Sequence, residues 1–174
     1  MSVTGFTASG MEILLLFGLQ IFFGNIYLLT SFVFAGFMLG LVVGSFFGKS
    51  VFSPEKNLLY KTQFLIGLFV ALAGASLFSS GMEKLPDFLI YFLFLLATVL
   101  TGGLTGFQFS VASLSAEGTY ARISGETYSY DLVGSAFGAL AVSIYLVPVL
   151  GIVWSVFILA AMNILFGIWL TFRK

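Results

Sequence analysis

The chain has 174 residues, of which 60% are hydrophobic and 8% charged, and its seven basic residues balance its seven acidic ones. This composition lies far outside the range of soluble globular domains and predicts an integral membrane protein. The absence of histidine and cysteine excludes disulfides, thiolate metal sites, His-ligated haem and a Ser-His-Asp triad, and the zero net charge predicts no nucleic-acid partner.

The N-terminal apolar run, residues 6–48, is too long for one membrane span and has the length of two joined by a tight hinge at Gly24 and Asn25. Glu12 lies about two turns into the first predicted helix and is followed by Gln20. Because lipid-facing positions are normally apolar, these polar residues are expected to face the interior of the bundle or a cavity.

The second predicted span carries a glycine at every fourth position, which places these residues along one helix face. The glycine ladder consists of Gly36, Gly40, Gly44 and Gly48. Small residues at this spacing let another helix backbone approach closely, which favours a contact inside the bundle. The alternative is a face that slides or that meets a partner protein.

The rest of the chain predicts four more spans. Polar connections at residues 49–61, 81–86 and 116–126 and a turn at 148–151 separate them from the second span and from one another. The six predicted spans cover residues 6–23, 27–48, 62–80, 87–114, 127–147 and 151–172. The predicted fold is therefore all-α: one polytopic membrane domain formed by a bundle of about six transmembrane helices.

The distribution of basic residues predicts the orientation of this bundle. With six spans, one side of the membrane holds Lys49, Lys56, Lys61, Arg122, Arg173 and Lys174. Lys84 lies on the other side. The positive-inside rule then places both termini in the cytoplasm.

The fourth and fifth spans contain further small residues at helical spacing, which we expect to pack helices together. They are Gly102 and Gly106 in the fourth span and Gly134 and Gly138 in the fifth. Asp131 leads the second of these groups, about one turn inside the cytoplasmic interface. It is either a proton or cation site or a structural partner for Arg122, a tyrosine hydroxyl or a backbone amide.

Four residues form the candidate intramembrane polar site: Glu12, Gln20, Asp131 and Asn163. Glu12 and Asp131 both fall in the cytoplasmic half, which suggests a shared, partly hydrated pocket. Asn163 could join them, although a single buried amide more often ties two helices together. No residue is predicted to be catalytic, to bind a cofactor or to ligate a metal, because the sequence has no phosphate loop and no dinucleotide fingerprint.

The two glycine-bearing segments GFMLGLVVGS and DLVGSAFGAL occupy corresponding places in the second and fifth spans. With three spans in each half of the chain, a repeat based on them would have inverted topology, as in many transporters.

Several segments together resemble the multi-pass membrane region of long prokaryotic spermidine synthase-like proteins. They are ILLLFGLQIFFG, FMLGLVVGS, GGLTGFQF and YSYDLVGSAFGAL, followed by Pro148 and Gly151. They occur in the family's order along nearly the whole chain, but Phe109-Ser110 stands where the family has Phe-Pro. The soluble aminopropyltransferase domain has no counterpart in this sequence, so the resemblance implies a membrane module and no transferase activity.

These observations predict a non-catalytic subunit or anchor module in a prokaryotic cytoplasmic membrane, without a bound cofactor. Its expected partners are the lipid bilayer and other membrane or membrane-associated subunits, or further copies of the chain. The alternative is a small transporter or half-transporter for a cation or polyamine that uses Glu12 and Asp131. A third interpretation is a fragment of a longer fused enzyme.

Overall fold

A computed structural model of the chain describes residues 1–24, 27–50, 56–115 and 119–172. Within these residues all regular secondary structure is helical, which confirms the all-α fold class. The helices are α1 Ser2–Phe23, α2 Tyr27–Ser50, α3 Lys56–Leu77, α4 Asp87–Ser115, α5 Tyr120–Leu140 and α6 Val147–Phe172. A short 3₁₀ turn, Met82–Lys84, precedes α4, and a π-helical segment, Ala141–Leu146, joins α5 to α6.

Five helical stretches are long and apolar enough to cross a membrane, a result compatible with a multi-pass membrane protein. They are Ser2–Phe23, Thr30–Ser50, Leu58–Leu77, Asp87–Ser115 and Arg122–Phe172. The last contains 51 residues, and a straight helix of that length would measure about 77 Å, against a hydrocarbon core of about 30 Å. Gly151 interrupts it with φ 79° and ψ 171°, a conformation that glycine adopts without a steric penalty.

Several helices begin earlier than hydropathy predicts. Helix α1 begins at Ser2, α3 at Lys56 and α5 at Tyr120, whereas hydropathy predicts starts at residues 6, 62 and 127. Polar residues assigned to the connections therefore form the first helical turns. Hydropathy detects the part of a helix that lies in hydrocarbon, whereas backbone hydrogen bonding continues into the aqueous interface.

The predicted hinge after the first span coincides with the end of α1. Gly24 adopts the left-handed conformation with φ 66°, and its N–H donates to the carbonyl oxygen of Gln20 at 2.9 Å, as at many helix C-termini. Asn25, parts of the two polar connections (51–55 and 116–118), Arg173 and Lys174 lie outside the described residues.

Helices α2 and α4 form a close parallel pair through their glycines. A Cβ atom added at Gly40 would collide with the carbonyl oxygen of Val99, and one at Gly44 with that of Gly103. From the other side, a Cβ at Gly102 would collide with the carbonyl oxygen of Phe37. Gly36, Gly48 and Gly106 also lie against the facing helix. The ladder of α2 is thus covered by α4.

Helices α1 and α5 form a second close parallel pair. A Cβ at Gly134 would collide with the carbonyl oxygen of Ser2, and one at Gly138 with that of Phe6. In return, a Cβ at Gly5 would collide with the carbonyl oxygen of Asp131. Close backbone approach of this kind replaces the hydrophobic driving force that is weak between helices in lipid.

The remaining contacts are antiparallel. Gly67 of α3 lies against Ala160 and Ile164 of α6, whereas Gly74, two turns later, lies against Val156. Along α1, Gly10 lies against Leu159 of α6, and Gly18 against Phe94 of α4. The helices therefore alternate in direction, so that α1, α3 and α5 begin at the end of the bundle where α2, α4 and α6 finish.

The two ends of the bundle differ in charge. Lys49, Lys56, Lys61 and Arg122 belong to the end where α1 begins, which we call the basic end. Among the described residues, Lys84 is the basic residue of the opposite end. Between them lies a core of apolar side chains from α1, α3, α4 and α6, including Leu14, Val70 and Leu159, each 0% exposed.

Candidate polar site inside the bundle

A cluster of polar side chains lies in the bundle interior near the basic end. This amide cluster consists of Thr4, Thr7, Gln63, Gln108 and Asn163, which are between 0% and 3% exposed. They come from α1, α3, α4 and α6, so the cluster lies where four helices meet.

The cluster is connected by hydrogen bonds between side chains. Gln63 Nε2 donates to Asn163 Oδ1 at 2.6 Å, and Gln108 Nε2 donates to Gln63 Oε1. Thr4 Oγ1 donates to the same Gln63 oxygen at 3.4 Å. Asn163 Nδ2 donates to Thr7 Oγ1 and to the carbonyl oxygen of Leu159 at 2.7 Å. Gln63 is thus the central residue.

Three buried carboxyl or amide oxygens in the bundle have no hydrogen-bond partner among the described residues. They are Oε1 of Glu12, Oε1 of Gln108 and Oδ1 of Asp131. Leaving such an oxygen unpaired away from water costs about 1 to 3 kcal/mol. The groups that satisfy oxygen acceptors are hydrogen-bond donors and cations, so each of these oxygens can accept from a donor or attract a positive charge.

The structure places the four predicted site residues at separate locations. Asn163 belongs to the amide cluster. Glu12 is partly buried in the middle of α1, and Gln20 is exposed in the last turn of that helix.

Asp131 lies against the start of α1, where its carboxylate is beside Gly5. Glu12 is two helical turns, about 10 Å, farther along α1 than Gly5, so the two carboxyl groups lie at different levels of the bundle. The surroundings of Asp131 also include Met1: burial lowers the pKa of the Met1 amino group, and the attraction of Asp131 opposes that shift. The Arg122 guanidinium, one predicted partner, instead pairs with Glu126 at 2.7 Å.

Gln63, Gln108, Thr4 and Thr7 were not predicted from the sequence. Thr4 precedes the predicted first span, Gln63 follows the predicted start of the third directly, and Gln108 stands inside the glycine-rich segment GGLTGFQF. A glutamine within a long apolar window is rare enough to be a signal by itself. Reading each polar residue as a candidate, independently of its charge, would have found both glutamines.

Two surface depressions lie between the helices. A cavity of about 480 Å³ near the opposite end is lined by residues that include Gly18, Phe22, Phe78, Ser79 and Glu83. A groove of about 490 Å³ between α1, α2 and α4 is lined almost wholly by apolar side chains, among them Leu19, Val33 and Phe92. Of these two, the first combines aromatic, hydroxyl and carboxyl groups, and it is the one that could admit a polar ligand.

No group of three potential metal ligands from His, Cys, Asp and Glu occurs among the described residues. Comparisons with protein-family models, with curated proteins and with solved structures found no significant match for this chain. The resemblance to the membrane region of spermidine synthase-like proteins stays a hypothesis, and a function is inferred from the geometry of the bundle.

Proposed function

We propose that the chain is a small membrane transporter, or half of one, for a cation or a protonated amine such as a polyamine. The observation that carries this proposal is that buried carboxyl and amide oxygens of Glu12, Gln108 and Asp131 have no hydrogen-bond partner among the described residues; the Ser113 hydroxyl is a fourth buried oxygen without one. Polar and ionisable groups inside a membrane bundle are expensive and typically mark a substrate or proton pathway. All three are acceptors, which favours a positively charged or hydrogen-bond-donating substrate.

The alternative of a non-catalytic subunit or anchor has less support from the packing. One of its grounds is the glycine ladder of α2 as a contact face for a partner. In the structure α4 covers this ladder, with Gly40 and Gly44 against the backbone of residues 99–103. A membrane partner would therefore need to bind to another surface.

The proposal includes six membrane spans, with both termini in the cytoplasm of a prokaryotic cell. It is supported by the break at Gly151 and by the directions of the helices it separates, since α5 is parallel to α1 and α6 is antiparallel to it. The basic residues of the described chain then fall mainly on the cytoplasmic side.

The orientation predicts opposite chemical accessibility at two serines. Because the chain has no cysteine, single variants Ser50→Cys at the basic end and Ser80→Cys at the opposite end provide unique thiols. In spheroplasts, a membrane-impermeant maleimide is expected to label Ser80→Cys at once and Ser50→Cys only after lysis. Labelling of Ser50→Cys alone from outside would reverse the orientation, and equal labelling would contradict the six-span arrangement.

The transport activity predicts uptake by the purified protein in proteoliposomes. Radiolabelled putrescine, spermidine and K⁺ are the probes, each with and without an imposed proton gradient. We expect uptake of at least one, with a decrease of at least tenfold in Glu12→Gln or Asp131→Asn, because each change removes a carboxyl group that can pair with the cation or carry a proton. Gln20→Leu, an exposed position in the same helix as Glu12, is the matched control and is expected to retain full uptake.

The same purification addresses the alternative. Mild detergent extraction followed by mass determination is expected to give the chain alone or as a homo-oligomer. A stoichiometric second protein, combined with no uptake of any probe, would favour the subunit instead.

A further inference from the structure

The two close helix pairs share a set of equivalent glycine contacts. In the α2–α4 pair, Gly40, Gly44 and Gly102 lie against the carbonyl oxygens of Val99, Gly103 and Phe37. In the α5–α1 pair, Gly134, Gly138 and Gly5 lie against the carbonyl oxygens of Ser2, Phe6 and Asp131.

The residue numbers of the two sets differ by constants. Adding one constant to the number of each α2 residue gives its equivalent in α5, and subtracting a second constant from the number of each α4 residue gives its equivalent in α1. A fourth contact obeys the same shifts, because Gly102 also lies near Leu41 while Gly5 lies near Ser135.

The rest of the packing has the same symmetry. Exchanging α1 with α4, α2 with α5 and α3 with α6 turns the α1–α6 contact into the α4–α3 contact, both of which are present. The same exchange leaves the α1–α4 and α3–α6 contacts unchanged, and both of these contacts are present too. With three helices in each half, this exchange reverses the direction across the membrane, as in inverted-repeat transporters.

The halves α1–α3 and α4–α6 meet in two different ways at the two ends of the bundle. Near the basic end, the bonds from Gln63 to Asn163, from Gln108 to Gln63 and from Asn163 to Thr7 all cross between halves.

Near the opposite end the halves meet through rings, which we call the aromatic cluster: Phe22, Phe23, Phe78, Tyr91 and Phe94. The rings of Phe23 and Tyr91 stack with centroids 3.8 Å apart, and Phe94 makes edge contacts with Phe22 and Phe78. Each of these contacts also joins one half to the other.

The two ends are not equally closed. The amide cluster is between 0% and 3% exposed, whereas the cavity of about 480 Å³ reaches Phe22 and Phe78 of the aromatic cluster and is lined there by Ser79, Ser80 and Glu83. Among the described residues, the amide cluster is therefore buried, whereas the aromatic cluster borders an open cavity.

We propose that α1–α3 and α4–α6 are inverted structural repeats, and that the amide cluster and the aromatic cluster are alternating closures at the two ends of a single pathway between them. This inference rests on the proposed transport function, but the experiment that tests it measures thiol accessibility and needs no transported substrate. When the halves rock about their shared axis, opening the amide cluster closes the aromatic cluster, and the reverse movement restores the arrangement with the basic end sealed.

Reciprocal accessibility in the full-length protein tests this coupling without any substrate. One variant carries Phe23→Cys and Tyr91→Cys, which an oxidant cross-links to hold the aromatic end closed. Its reporter is Thr4→Cys, buried at the basic end. A second variant carries Thr7→Cys and Asn163→Cys, which the same oxidant cross-links to hold the basic end closed. Its reporter is Phe78→Cys. Reporter labelling by a small soluble maleimide is measured in proteoliposomes before and after cross-linking, with each reporter thiol protected reversibly during oxidation.

Cross-linking the aromatic end is expected to accelerate labelling of Thr4→Cys at least fivefold, and cross-linking the basic end to accelerate labelling of Phe78→Cys by a similar factor. Variants with only one cysteine of each pair, oxidised in the same way, are expected to show no change. Should the Asn163 variant fold poorly, Gly10→Cys with Leu159→Cys replaces it, because these residues are in contact one turn away.

If closing one end leaves the other unchanged, or makes it less accessible, the coupling is wrong even where uptake has been measured. If coupling is observed while no probe is taken up, the repeat mechanism stands and the proposed substrate class is wrong.

Discussion

Replacing Gly44 by alanine is expected to destabilise the bundle by about 3 kcal/mol, near the top of the range for overpacked sites. The added Cβ would overlap the carbonyl oxygen of Gly103 in α4. Backbone in a regular helix cannot rotate away as the tip of a side chain can, so α2 and α4 must separate along the interface. The measurement is unfolding by SDS in mixed micelles, followed by tryptophan fluorescence.

Two other glycines provide matched controls for this experiment. Gly103 lies in the same interface, but a Cβ there would meet only the carbonyl oxygen of Gly40 at 3.7 Å, an ordinary contact. Gly125 in α5 has nothing within 4 Å of an added Cβ. Alanine at either position is expected to be tolerated, with a gain of up to about 1 kcal/mol from helix propensity.

Gly138→Ala should match the loss seen for Gly44→Ala, because Gly138 is its equivalent in the α1–α5 pair. Equal stability of the Gly44 and Gly103 variants would show that α2 and α4 do not form this close contact.

Gln63→Leu is expected to lower the free energy of unfolding by about 1 to 3 kcal/mol. The change keeps the side-chain volume nearly constant but removes the acceptor for Gln108 and the donor for Asn163. Hydrogen bonds between membrane helices contribute on average about 0.6 kcal/mol each, and buried groups left without a partner cost a further amount of about 1 to 3 kcal/mol. Most of the lost stability is therefore expected to come from the desolvated amides that Gln63 no longer pairs.

This explanation predicts a non-additive series. In the triple variant Gln63→Leu, Gln108→Leu, Asn163→Leu, no amide remains to be left unpaired, so most of the lost stability is expected to return. Gln20→Leu, at an exposed position, should change stability by less than about 0.5 kcal/mol. If the triple variant instead loses stability equal to the sum of the losses in the three single variants, unpaired amides are not the cause of the loss.

The sequence was sufficient for the helical fold and for the apolar segments because, in lipid, backbone groups must be satisfied within a segment, which leaves helices as the solution for long apolar runs. It was less reliable at the helix ends. Hydropathy placed the third span at residue 62 and the fifth at residue 127, whereas the helices begin at Lys56 and Tyr120.

The interior polar site was only partly predictable. Asn163 was recognised, but the residues that bind it, Gln63 and Thr7, come from other helices. Charge drew attention to Glu12 and Asp131, but Glu12 lies in the middle of α1, whereas Asp131 of α5 lies beside the start of that helix. Gln20 is exposed. A helix that is apolar on all sides gives no periodic signal for its buried face, so the sequence could not tell which polar residues meet.

What the sequence by itself determined is local: helical segments, their approximate lengths and the four-residue spacing of glycines that permits close backbone approach. Only the tertiary structure decided that the ladder of α2 packs on α4, that Gly134 and Gly138 pack on α1 in the same manner, and that three amides meet between the halves. The reason is physical: spacing specifies that a close contact is sterically allowed, whereas the identity of the neighbour depends on how all the helices fill the bundle together.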